Sequence, residues 1–270
     1  MDDLIEGYRR FRAGTWQAER RRFEALSRLG QRPRALIIAC SDSRTDPQMV
    51  FNARPGELFV VRNVANIAPP YGPDDKPHGV SSAIEFAVRS LQVREIVVLG
   101  HAMCGGIQAL LEGAPVEASD FVGQWVRIAE PARQRAMQAP PELRQGICEH
   151  ESVRLSLDNL MTFPWIKDAV EAGHITLHGC FFDIRSGILE RLGEDGAFHA
   201  IPDYTGPPRQ ARLRWLHIAA GAHEAFKWQR PISTSSSSAR GRAAMSAPFA
   251  RRSSASRRQS SSATIWAASA

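Results

Sequence analysis

Long apolar runs are missing from this sequence. No stretch approaches the roughly 18 to 20 residues that a bilayer-spanning helix needs, although 43% of the 270 residues are hydrophobic. The opening, MDDLIEGYRRFR, starts acidic and lacks the apolar core of a secretory signal. A cytoplasmic protein with no membrane partner is expected. Cysteine is scarce, at four residues. Two of the four read as metal ligands, which leaves Cys148 and Cys180. A disulfide between them would be unusual in a cytosolic chain, and they read as a surface thiol and a core residue. Acids are absent from residues 231–270, which hold six arginines, so the net charge of +6 resides wholly in that tail. The first 230 residues sum to a formal charge of zero and carry no basic footprint for nucleic acid. No internal repeat is present.

What the chain does have is Cys40-Ser-Asp-Ser-Arg44, followed about sixty residues later by His101-Ala-Met-Cys104-Gly-Gly. Two cysteines and a histidine are one ligand short of a closed structural zinc site. An open fourth position is what a catalytic zinc needs to hold water. Asp42 and Arg44 stand two and four residues beyond the first ligand, within reach of that water. The competing readings are buried core thiols for Cys40 and Cys104 and a surface ion pair for Asp42 and Arg44. Three ligand types at strand ends, with an acid and an arginine beside one of them, favour the metal.

Both ligand groups end short apolar runs rich in branched residues. Residues 34–40 and 95–101 read as buried strands of a parallel sheet. Their carboxyl ends can converge in the crevice where open α/β sheets bind ligands. Gly105 and Gly106 permit close backbone approach after the second motif. Other strands are expected at 57–61 and 174–183, with an edge strand or a turn into one at 186–193. Leu4, Ile5, Tyr8 and Phe11 share a helical spacing, as do Phe23, Leu26 and Leu29 before the helix-ending Gly30. Further helices are expected over about 79–91, from Gly105, over 119–138, over 147–172 and, less clearly, over 209–228. The alternation predicts a doubly wound α/β fold.

CSDSR, then PGELFVVRNVAN (55–66), then GHAMCGG (100–106), resembles the β-class carbonic anhydrases, in their plant-like branch. The resemblance runs from about Leu4 to about Ile201. It implies reversible hydration of carbon dioxide to bicarbonate and a proton, through water activated on one Zn(2+) per subunit. It implies a mostly parallel sheet of four to five strands flanked by helices, and a homodimer or tetramer. It assigns Cys40, His101 and Cys104 to the metal and Asp42 with Arg44 to catalysis. In some members an aspartate at the position of Asp42 swings onto the metal in a closed form. The first helices of the family reach across to a neighbouring subunit; packing on their own sheet fits the pattern equally.

The resemblance also points to a substrate pocket built partly by the partner subunit. Gln31 matches a substrate-binding glutamine, Phe59 an aromatic wall, and Gly105 a backbone contact beside the metal. Phe86 stands where the branch often has tyrosine, which removes a hydroxyl and keeps the apolar wall. Core packing is the competing reading for Phe59 and Phe86. Ile37 and Thr45 replace the tryptophan and valine of the bicarbonate-inhibited branch, which argues against its regulatory pocket although Arg62 is present. Two thiolates cancel the formal charge of zinc, so its water should be less acidic than at a three-histidine site.

The organisation expected is a zinc-binding catalytic domain over 1–202, an extension over 203–230 and a disordered Ser/Arg-rich tail over 231–270. Two other readings of the tail are an arginine-rich arm for an anionic partner and a GC-rich reading frame entered by a frameshift. Two rival functions remain: a zinc hydrolase of carbonyl sulfide or carbon disulfide, and a non-catalytic zinc-stabilised scaffold. Retention of Asp42 and Arg44 weighs against the scaffold. Among the other histidines, His78 could relay protons, while His174 and His178 read as surface or core residues. His150 stands in no motif.

Overall fold

The computed structural model describes residues 1–114, 116 and 120–205. The extension beyond 205, the tail over 231–270 and the helix expected over 209–228 lie outside the described residues. Two helices, α1 (Asp2–Ala13) and α2 (Thr15–Leu29), lead into the first strand, β1 (Ala35–Cys40). Gly30 ends α2 in the left-handed region, at φ 75°. A short helix α3 (Pro47–Val50), β2 (Leu58–Asn63) and α4 (Gly79–Glu85) follow, the last continued by a π-helical turn over Phe86–Ser90. Then come β3 (Glu95–His101), α5 (Gly105–Glu112), α6 (Val122–Val126) and α7 (Glu130–Ala136). The chain continues through α8 (Pro141–Leu160), α9 (Pro164–Glu171), β4 (Thr176–Asp183), β5 (Ile188–Leu192) and β6 (Phe198–Ala200).

The six strands form one sheet in the order β2-β1-β3-β4-β5-β6. The first four are mutually parallel, and β5 and β6 run antiparallel. β1 lies between β2 and β3, and all six of its residues are buried. That is why it reads as an unbroken apolar run rather than an alternating one. Leu36, Ile38, Ile96 and Val98 face a core completed by Ile84, Val153, Leu160, Phe163 and Ile166 from the helices. Ala35, Ile37, Ala39, Val97 and Leu99 face the other side, against Phe51, Val60 and Phe182. Each fully buried Leu or Ile contributes about 1.5–3 kcal/mol. Gly100 allows α8 to lie close on β3: a Cβ there would meet Val153 Cγ2 at 2.5 Å.

The mostly parallel α/β sheet flanked by helices matches the sequence reading, with one strand more than the four to five expected. The extra strand, β6, has three residues, too few for a periodicity to register. β5 is therefore an inner strand and not the edge. The helical segment expected over 119–138 is divided into α6, α7 and a 3₁₀ turn over Arg127–Ala129. The segment expected over 147–172 starts earlier, at Pro141, and is divided before Pro164. Proline lacks the N–H that a helix interior uses but fits a first turn, and Pro131, Pro141 and Pro164 each sit in one.

Helices α1 and α2 pack on each other, with Phe11 and Phe23 rings edge to face at 6.3 Å. Neither contributes a buried residue. α2 is tied to the body by Arg54–Glu19 at 2.7 Å and Arg22–Glu57 at 3.4 Å. Leu4, Ile5, Tyr8 and Phe11 all remain exposed, Leu4 at 72%.

Candidate metal centre

Cys40 closes β1 and His101 closes β3, at the point where the strand order turns outward in both directions from β1. Such switch points open a crevice at the carboxyl ends of parallel strands. After His101 the chain makes a tight turn with Met103 at φ 58°. It enters α5 through Cys104, the residue preceding the first helical turn. Gly106 is required for this turn to seat: a Cβ would meet Val64 Cγ1 at 2.6 Å and Ala65 Cβ at 2.9 Å. Gly105, by contrast, faces open space.

Cys40, His101 and Cys104 are all buried, and their ligand atoms lie within 4.8 Å of one another. The two Sγ atoms are 3.9 Å apart. Two vertices of a tetrahedron drawn with zinc–sulfur bonds of ~2.3 Å are about 3.8 Å apart, so the spacing suits zinc. His101 Nδ1 lies 2.9 Å from the Ala102 carbonyl. A carbonyl can only accept, so Nδ1 carries the proton and Nε2 presents its lone pair. That Nε2 is buried and has no hydrogen-bond partner among the described residues. A metal is the partner it fits.

The hydrogen bond from Cys104 holds the Cys40 thiol well below its ordinary value, against burial, with His101 assisting. The same hydrogen bond, with burial, pushes Cys104 up. Zinc binds cysteine as the thiolate, so both sulfurs would be deprotonated when the metal is bound.

Asp42 and Arg44 meet in a two-pronged pair. Asp42 Oδ1 accepts from the Arg44 N–H and from Nε, both at 2.9 Å, and Oδ2 accepts from Nη2 at 2.7 Å. The Arg44 guanidinium holds the Asp42 carboxyl well below the usual carboxylate range. Asp42 is turned toward Arg44 and stands apart from the three-ligand cluster.

Four contributors were not legible as such. Arg62 donates to the Cys40 carbonyl at 2.9 Å, to the Asp42 carbonyl at 2.6 Å and to Asp46 at 3.1 Å. It fastens the loop between the first ligand and the Asp42 pair. Glu149 and Gln145, on α8, hold the main chain of Cys104. Burial pushes the Glu149 carboxyl up, and the Cys104 and Gln145 donors oppose that. Trp125 Nε1 donates to the Val64 carbonyl at 2.7 Å, steadying the segment that Gly106 touches.

The remaining expected residues are dispersed. Gln31 is exposed between α2 and β1, and Gly105 is exposed beside Cys104. Phe59 and Phe86 pair with ring centroids 5.9 Å apart, and Phe59 packs on the Leu36–Ile38 core. His78 lies on an exposed loop, 2.7 Å from Asp74. His150 stacks on Phe181 at 4.0 Å and meets Glu190 at 3.2 Å, a packing role that no motif announced. Cys148 is buried, so the surface thiol expected among Cys148 and Cys180 is absent. Burial raises Cys148 to about 12 and Cys180 to about 11.

Comparison with known proteins supplies an independent line. The sequence profile of the family described as carbonic anhydrase matches residues 35–189. The chain is 41% identical over 202 residues to a carbonic anhydrase of Pseudomonas aeruginosa, covering 73% of this chain and 89% of that protein. It is 36% identical over 203 residues to the mitochondrial beta carbonic anhydrase 6 of Arabidopsis thaliana, covering 72% and 69%. Among solved structures it resembles the beta-carbonic anhydrase CcaA, with a TM-score of 0.70 and 35% identity over 75% of this chain and 92% of that one. It also resembles one of two tetrameric beta-carbonic anhydrases from Sordaria macrospora, with a TM-score of 0.63 and 27% identity, covering 71% and 96%.

Proposed function

The chain belongs to the carbonic anhydrase family, in its β class, and on that premise we propose that Asp42 and Arg44 are the catalytic pair of its carbon dioxide hydration site. The enzyme hydrates carbon dioxide to bicarbonate with zinc as cofactor, and Cys40, His101 and Cys104 are the residues that fit the metal. When bound there, zinc supplies the Lewis acidity that makes a water nucleophilic near neutral pH. The observation that carries the roles of the pair is the two-pronged contact between Arg44 and Asp42.

Oδ1 accepts two bonds from Arg44, whereas Oδ2 accepts one and keeps a lone pair free. Asp42 can therefore accept one further hydrogen bond, from the hydrogen of the attacking water, and so aim the oxygen at the substrate carbon. Its depressed pKa makes it an orienting acceptor rather than a base that carries the proton away. Arg44 keeps it ionised and turned from the metal ligands. Asp42 would join them only in a closed form with this contact broken. Gln31, Phe59 and Phe86 would complete the substrate site from across a subunit interface, with Gly105 as the backbone contact beside the metal. An apolar wall suits carbon dioxide, which needs little polar binding.

A homodimer or tetramer is the proposed assembly. The exposed apolar residues of α1 support it, as does the tetrameric relative of similar fold. A cytoplasmic location is proposed from four free, buried cysteines, which suit a reducing compartment. Among the described residues no helix is long and apolar enough to cross a membrane. The catalytic unit is placed within residues 1–202.

A hydration assay on zinc-loaded protein tests this reading, with carbonyl sulfide as a parallel substrate. Carbon dioxide turnover that collapses in Asp42→Asn is the expected result. Turnover of carbonyl sulfide alone would reject the reading.

A further inference from the structure

We propose that Gln145 and Glu149 form a positioning pair that sets the direction of the Cys104 sulfur by gripping the Cys104 main chain on both sides; the inference rests on Cys104 being a zinc ligand. Glu149 Oε1 accepts from the Cys104 N–H at 2.9 Å. Gln145 Nε2 donates to the Cys104 carbonyl at 3.1 Å and to the same Glu149 oxygen at 2.6 Å. Both peptide groups that flank one ligand are thus held by one helix, α8, from residues four apart and so on one face.

Burial shows how specialised this arrangement is. Glu149 is 4% exposed, and it is the one buried acid among the described residues. Burying a carboxylate is costly unless it is well hydrogen-bonded, so a leucine would suit simple packing at this position better. The same face of α8 continues the task. Ser156 Oγ accepts from Ala68 N–H at 3.1 Å, and Asn159 Nδ2 donates to the Ala68 carbonyl at 2.8 Å. Polar residues at 145, 149, 156 and 159 therefore brace two irregular segments, the ligand turn and the stretch after β2. These two segments meet where Gly106 presses on Val64 and Ala65.

The turn needs this brace. Met103 is held in a left-handed conformation that a non-glycine residue adopts at a cost. Cys104 precedes the first helical turn, where the peptide orientation fixes the direction of its Cα–Cβ bond. Rotating that peptide would swing the sulfur off the tetrahedral vertex. Partners of this kind tune metal affinity, typically by 10- to 100-fold.

The test uses the full-length protein carrying Glu149→Leu, Glu149→Gln or Gln145→Leu. Zinc affinity is measured by competition with a chromophoric chelator. The thiolate-to-metal bands of the cobalt-substituted protein are recorded alongside. Glu149→Leu is expected to lower zinc affinity roughly 10- to 100-fold and to shift the cobalt bands, with far-ultraviolet dichroism unchanged. Glu149→Gln keeps an acceptor for the Cys104 N–H and is expected to restore affinity and bands to near wild type. Gln145→Leu, which removes only the grip on the carbonyl, should weaken zinc binding several-fold and stands in if Glu149→Leu fails to fold. Wild-type affinity and bands in folded Glu149→Leu or in Gln145→Leu would overturn the proposal. So would a Glu149→Gln variant as weak as Glu149→Leu, because charge and not the grip would then be at work. Cys104→Ser separates the premise: full zinc retention there would remove Cys104 from the ligand set.

Discussion

The Arg44 guanidinium donates to the Met103 carbonyl at 3.1 Å while holding Asp42 with the same nitrogen at 2.7 Å. One side chain therefore ties the loop after the first ligand to the turn between the second and third. Removing Arg44 loosens the Asp42 carboxylate and the seam between the two halves of the metal site together. Lysine could not reproduce the planar Nε and Nη2 fork on the two Asp42 oxygens.

This sets the first expectation. Asp42→Asn and Arg44→Ala should cut carbon dioxide turnover at least ~100-fold, the scale of a lost positioned hydrogen bond or charge. Zinc content should stay close to one per chain in Asp42→Asn, since Asp42 stands outside the ligand cluster. Stopped-flow hydration with metal analysis decides it. Wild-type turnover in both variants would make the pair merely structural.

The pH dependence of that pair has a definite sign. The Asp42 pKa is lowered in the folded protein, chiefly by the Arg44 hydrogen bond. Its stabilising contribution is therefore fully present above the ordinary carboxylate value of about 3.9 and is lost as pH falls through the depressed folded value. The stability gap between wild type and Asp42→Asn should be flat from about pH 7 to pH 5 and should shrink only below about pH 4. Urea unfolding across that range measures it. A gap that narrows between pH 7 and 5 would mean that Arg44 does not hold the carboxylate down.

Gly106→Ala tests how tightly the ligand turn is seated. The new Cβ would approach Val64 Cγ1 to 2.6 Å and the Ala65 backbone nitrogen to 3.1 Å. Overpacking of this kind costs about 1–3 kcal/mol. Thermal unfolding should fall accordingly, with zinc bound more weakly. Gly105→Ala, which meets open space, is the matched control and should leave stability near wild type.

The exposed face of α1 bears on assembly. Leu4, Tyr8 and Phe11 are 72%, 59% and 37% exposed, on a helix with no buried residue. Leu4→Glu combined with Tyr8→Glu should dissociate the oligomer, read by light scattering, because charges cannot be buried there unpaired. An oligomer of unchanged mass would place the interface elsewhere.

The sequence was most legible where the chemistry is local in the chain. Cys40, Asp42 and Arg44 fall within five residues, and His101 and Cys104 within four, each at the end of an apolar run that sheet burial demands. Arg62, Gln145 and Glu149 act through peptide groups of residues 20 or more positions away. Backbone atoms leave no mark on residue type, so only the fold could join them to the site. Glu149 did carry a faint signal, a charged residue on the face of a helix that also holds Cys148, Ser152 and Val153. The helix boundaries misread around 119–138 and 147–172 were marked by prolines that open first turns. β6 lacked the length for any pattern.

The final expectation concerns the C-terminal tail. The family match ends at residue 189, and the sheet is closed by β6, after which the Ile201 N–H donates to the Leu189 carbonyl at 2.8 Å. Among the described residues, those of the metal centre all lie at or before α8. Residues 231–270 add six arginines and no acid to a body whose formal charge is zero. Truncation after Arg230 should therefore preserve zinc content, assembly and turnover while moving the isoelectric point from about 9.6 toward neutrality. An unspecific attraction to polyanions in the full chain should vanish with the truncation and should weaken with salt in the intact protein. Loss of activity, or dissociation of the oligomer, would instead make the tail an integral arm of the enzyme.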